Sequence, residues 1–127
     1  MSRTVSMLTE EEIEAYRAAL RDHAARKRRL DETRWRRAWD LARRAAILLR
    51  EEFGVSRVVV FGSLVHPHLF HAHSDVDLAT WGLSGRPYYR AVGVLQSLDP
   101  TISVDLIAFE EAPKRLQEII LREGEDL

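Results

Sequence analysis

The stretch from Val58 to Leu78, VVVFGSLVHPHLFHAHSDVDL, constrains this chain more than any other. Val58, Val59, Val60 and Phe61 form an apolar run that stops at Gly62-Ser63, and residues 64–74 then lead to Asp75-Val76-Asp77-Leu78. The first run is short, β-branched and aromatic, and ended by glycine, which predicts a buried strand. The second alternates, so Val76 and Leu78 are expected on one face of a strand and Asp75 and Asp77 on the other. Carboxylates two positions apart on a strand converge. Hard divalent cations such as Mg²⁺ take oxygen ligands of this kind and leave room for substrate phosphates. Gly62 permits close approach of backbone to a ligand. Ser63 offers a hydroxyl and, at the start of a helix, a cap for backbone N–H groups that face an anion. Alone, Gly-Ser is a common turn and Asp-x-Asp a common solvated strand face. Together, behind an apolar strand, they specify a phosphate cradle beside a metal-binding carboxylate pair.

The rest of the composition bounds what surrounds this unit. A length of 127 residues fits one domain, and 46% hydrophobic with 31% charged residues fits a globular one. No apolar run has the length of a membrane span. The opening residues MSRTVSMLTEEE lack the apolar core of a secretion signal. The absence of cysteine excludes disulfides and thiolate metal sites, and cytoplasm is the expected compartment. A net charge of −1 gives no global attraction to nucleic acid, and direct nucleic-acid binding is not expected. The charge is uneven, however. Residues 26–44 hold nine Arg/Lys against Asp31, Glu32 and Asp40, a local +6 that leaves −7 for the remainder. The leading reading of this stretch is a solvated helix face whose Arg stems cover apolar surface. An acidic protein partner and a nucleic-acid contact are the alternatives.

Along the chain, Thr9 with Glu12 reads as a capping box that opens a helix to about residue 30. Its stripe, Ile13, Tyr16, Leu20 and Ala24, is thin and fits an arm that needs a partner surface. A second helical pattern, with Trp35, Trp39, Ala42, Ala46, Leu49 and Phe53 on one face, covers residues 33–53 and ends at Gly54. No Gly or Pro separates the two, so one long bent helix is the alternative. The tryptophans are read as packing residues. A strand at 57–61 leads to a short helical turn at 64–65, limited by Pro67. His66, His68, His71 and His73 crowd the connection that follows. Their spacing and the lack of cysteine argue for loop residues beside the phosphate site, where a partly protonated His helps to hold anions, over a transition-metal site. A strand near 75–81, a loop at 82–87, a helix at 87–98 and a turn at Asp99-Pro100 come next. In the strand at 102–108, Asp105 interrupts the apolar residues, either as an edge-strand charge or as a third carboxylate beside the first two. A helix at 112–123 closes at Gly124.

Gly62-Ser63, then Asp75-Val76-Asp77, then Asp105 in a later strand, resembles the signature of the DNA polymerase β-like nucleotidyltransferase superfamily. The compactness resembles its minimal nucleotidyltransferase (MNT) branch, the antitoxins of HEPN/MNT toxin–antitoxin pairs. The similarity covers residues 35–127, including Asp77-Leu78-Ala79, Gly82-Leu83 and the tail from Ile120 to Glu125. It departs at His66-Pro67, where a basic residue and Gly are common in such proteins. The resemblance implies an α+β fold, a small mixed β-sheet flanked by helices, with residues 1–32 as an N-terminal helical extension and 33–127 as the nucleotidyltransferase domain. It further implies Gly62 and Ser63 as nucleotide-binding residues for ATP, and Asp75, Asp77 and Asp105 as catalytic residues and ligands of two Mg²⁺ ions. The implied partner is a cognate HEPN ribonuclease toxin, AMPylated on a hydroxyl, often a tyrosine. A non-catalytic antitoxin that acts by binding, and a small-molecule (aminoglycoside-like) nucleotidyltransferase, are the alternative functions.

Overall fold

The computed structural model describes residues 7–127. A single helix, α1 (Glu10–Phe53), runs for 44 residues. Thr9 caps it: its hydroxyl accepts the Glu12 N–H at 3.1 Å, and Glu10, Glu11 and Glu12 fill the first turn against the helix dipole. The two expected helices are therefore one. Nothing between residues 30 and 33 breaks it, and Thr33 is accommodated by bonding its hydroxyl back to the Arg29 carbonyl at 2.9 Å. Once nucleated, a helix extends at little cost per residue. It stops at Gly54, which adopts a left-handed conformation (φ 67°) and donates its N–H to Arg50 O at 3.2 Å.

The buried residues of α1, Ala38, Leu41, Ala42, Ala45, Ala46 and Leu49, all lie in its second half. They pack on one face of a four-stranded sheet of order β3-β2-β1-β4. Strand β1 (Val58–Phe61) runs antiparallel to β2 (Val76–Thr80), with Val60 opposite Leu78 and Phe61 opposite Asp77. Strand β3 (Val104–Ala108) runs parallel to β2, Asp105 opposite Asp77. The crossover between them carries α2 (Gly85–Gln96), as a parallel connection requires. Val58, Val60, Val76, Leu78, Val104 and Leu106 form the core with α1 and α2. The alternate residues Val59, Phe61 and Ala79 face the other way, under Ile120 of α3 (Lys114–Glu123), with Trp81, Ile107, Phe109 and Leu116 packed beside them.

A last strand, β4 (Glu125–Asp126), pairs antiparallel with β1. It was not expected, because two acidic residues carry no strand periodicity. It forms because Gly124 has no side chain: a Cβ there would strike Val59 Cγ1 and the Ile120 carbonyl. The Leu127 N–H then bonds Val58 O at 3.0 Å, Arg57 pairs with Asp126 at 2.9 Å, and Arg50 bonds the Leu127 carbonyl. Among the described residues, no helix is long and apolar enough to cross a membrane.

Candidate active site

The β1–β2–β3 register brings most of the candidate residues to one end of the sheet. Phe61 lies opposite Asp77, so Gly62, the next residue, meets the Asp77 side chain. A Cβ on Gly62 would collide with Asp77 Oδ2, and the residue has φ +77°, a conformation that glycine adopts without strain. The close approach of backbone expected at Gly62 is thus directed at a carboxylate. Asp105 stands opposite Asp77 on the edge strand and is exposed. Asp75 precedes β2 on the same parity as Asp77.

The electrostatics reflect this convergence. Burial, then the charge of Asp105, then that of Asp75 push the Asp77 carboxyl up to about 6. One oxygen of Asp75 is already engaged: it accepts the Ser103 N–H at 3.3 Å and lies 3.9 Å from the Arg34 guanidinium. An open cleft of 470 Å³ borders Asp77 and Asp105, lined also by Phe61, Tyr88, Gln96 and Leu116. Tyr88 and Gln96 belong to α2 and donate to the Leu106 and Val104 carbonyls at 2.7 and 2.6 Å, fixing α2 against the edge strand that carries Asp105.

An all-oxygen donor set with mutual repulsion fits a hard divalent cation. Among the described residues, no three His, Asp or Glu side chains form a group that could hold a metal ion by themselves. The carboxylates could supply such an ion with only part of its oxygen shell.

Ser63 occupies a different place from the one expected. It is the second residue of a single 3₁₀ turn, Gly62–Val65, preceded by Phe61, so it is not a helix cap. The turn is short because Pro67 starts another 3₁₀ turn two residues on. The histidines follow this turn. His66 pairs with Glu123 at 3.2 Å, and His71 Nδ1 accepts the His73 N–H at 3.0 Å.

Three further residues hold the site and gave no local signal. Arg34 of α1 donates to the carbonyls of Ser74 and Thr101 at 3.0 and 3.2 Å, tying together the entries of β2 and β3. Trp35 donates its indole N–H to Leu64 O at 3.1 Å and so holds the turn after Gly62. Asp99 is buried. It accepts from the Thr101 N–H and hydroxyl, the Ile102 N–H, and a two-pronged Arg37 at 2.8 and 3.1 Å. Burial alone would raise its carboxyl, but bonds from Thr101, Arg37 and Ile102 outweigh this and hold it below the ordinary value. The contacts of Arg34, Trp35 and Arg37 join residues dozens of positions apart, beyond the reach of a local pattern.

Residues 45–127 match the sequence profile of the family described as Polymerase beta, Nucleotidyltransferase. No curated protein matches the chain by sequence. Among solved structures, a mutant of the toxin–antitoxin complex MntA-HpeT is similar, with a TM-score of 0.55 and 20% identity over 67% of this chain and 70% of that one. So is a toxin–antitoxin with AMP-PNP, with a TM-score of 0.55 and 24% identity over 65% and 69%. These likenesses concern the fold. The profile match, by contrast, extends from the end of α1 to the last residue and takes in Gly62 and all three aspartates, so this chain belongs to the polymerase beta nucleotidyltransferase family.

Proposed function

We propose that this protein is a minimal nucleotidyltransferase antitoxin, which transfers AMP from ATP to a hydroxyl, a tyrosine in this reading, of a cognate HEPN ribonuclease toxin. The observation that carries the proposal is the placement of Asp77 against Gly62 and opposite Asp105, with the charge of Asp75 also felt there, beside an open cleft. The similar structures lend support. They are toxin–antitoxin complexes, one with AMP-PNP, and the mutant complex replaces two aspartates two positions apart, the spacing of Asp75 and Asp77. In this reading residues 33–127 are the transferase unit and 1–32 an addition to it.

Gly62 and Ser63 would receive the β- and γ-phosphates on the short turn that they open. Asp75 and Asp77 would hold two Mg²⁺ ions, and Asp105 would share one of them. When bound, these ions supply positive charge for displacement at the α-phosphorus. Asp105, exposed at the sheet edge, is open to an incoming hydroxyl and favours loss of its proton. The acceptor oxygen bonds to the α-phosphorus as the bond to pyrophosphate breaks. The test is intact mass spectrometry of the HEPN protein encoded beside this one, co-expressed with wild type or with the Asp75→Ala/Asp77→Ala variant. A mass increase of one or more AMP units, lost in the variant, is expected. A stable complex without added mass would replace this reading by a binding-only antitoxin.

A further inference from the structure

The first half of α1 leaves its apolar stripe uncovered: Tyr16 is 65% and Leu20 52% exposed. The charges beside the stripe run in opposite order along it. Glu10, Glu11, Glu12 and Glu14 cluster at one end, and Arg26, Lys27, Arg28 and Arg29 at the other. Arg17 and Arg21 lie between them, Arg21 paired within the chain with Glu14 at 2.7 Å, so it is the two ends of the segment that are complementary when it is reversed.

The helical geometry makes the match specific. Glu10 and Arg28 are 18 residues apart, about five turns at 3.6 residues per turn, and so share one flank of the stripe. Glu12 and Arg26, about four turns apart, share the other flank. In an antiparallel pair of identical helices each flank meets the same flank of its partner. Glu10 then lies beside Arg28 of the second copy, and Glu12 beside Arg26, at both ends of the contact. Ile13, Tyr16, Leu20 and Ala24 meet their counterparts between them. A parallel pair would set acid against acid and base against base. The family profile begins at Ala45, so this segment is separate from what it describes.

We propose that the α1 segment from Glu10 to Arg29 is a self-association surface that pairs antiparallel with the same segment of a second copy of this chain. A helical pair of this length with few apolar residues is weak, and its flanking ion pairs are screened by salt. Sedimentation velocity of the full chain, from about 1 to 200 μM at low and high salt, tests it. Wild type is expected to dimerise as concentration rises, less so at high salt. The variants Glu10→Lys/Glu12→Lys and Arg26→Glu/Arg28→Glu should each remain monomeric, since each places like charges at both ends of the pair. Mixed in equal amounts, they should form a mixed dimer, because both ends become attractive. That rescue separates a broken interface from a helix weakened by the substitutions. A monomeric wild type across the range, a variant that dimerises as wild type does, or a mixture without association would each overturn the proposal.

Discussion

Asp77 lies against a glycine that has no room for a Cβ, and burial, Asp105 and Asp75 push its carboxyl up to about 6. A folded-state value above the ordinary 3.8 means that folding favours the protonated form. The stability from this group is fully present below the ordinary value and is lost as pH rises through about 6. With solvent screening of this partly exposed group, the cation-free chain is expected to lose on the order of 1 kcal/mol between pH 4 and pH 7 from this source. In thermal melts at pH 7.5 without divalent ions, Asp77→Asn should therefore melt higher than wild type. Added Mg²⁺ should raise the wild-type midpoint and leave that of the variant nearly unchanged. Gly62→Ala forces a Cβ into the Asp77 carboxylate in a backbone conformation that alanine avoids. It should cost about 1–3 kcal/mol in denaturant unfolding and abolish nucleotidyl transfer. The Asp-x-Asp pair and Gly62 stood out in the sequence because their residue types suit the proposed chemistry. The collision between Gly62 and Asp77 was not, since it depends on which residue of β2 stands opposite Phe61.

At the scale of elements, strands β1, β2 and β3 were legible because each carries four or five residues with a buried face. Asp105 was left open between an edge charge and a member of the site, and β3 is indeed the edge strand while its register sets Asp105 opposite Asp77. The connection into β3 rests on Asp99. Removing this acceptor leaves the buried Ile102 N–H and both Arg37 donors without this partner, so Asp99→Ala should destabilise by about 2–4 kcal/mol in urea unfolding. Its carboxyl is held low, so its contribution is present above the ordinary carboxylate range and lost as pH falls through its folded-state value. Arg34→Leu should free the Ser74 and Thr101 carbonyls and remove the cation beside Asp75. Faster amide exchange at Val76, whose N–H bonds Ser103 O across the β2–β3 pairing, would report that loosening.

For the whole molecule, the two halves of α1 serve different ends. Every fully packed residue of the helix lies at or beyond Ala38, and the exposed Glu14–Arg21 pair adds little. Deleting residues 1–29 should therefore shift unfolding of the remainder by less than about 1 kcal/mol while removing the proposed self-association. The expected boundary between residues 32 and 33 falls inside this unbroken helix. The sequence by itself determined the order of β1, β2, α2, β3 and α3, the glycine stops, and the residue types on which the proposed phosphate and cation site rests. These are local matters, decided by side-chain period and backbone freedom within a few positions. Only the tertiary structure decided that Asp105 meets Asp77, that Arg34 and Trp35 of the first helix brace the site, and that Glu125-Asp126 completes the sheet. Each of these depends on strand register or on packing between distant segments. Such contacts gain their energy only when the whole core closes, so no single window of sequence contains them.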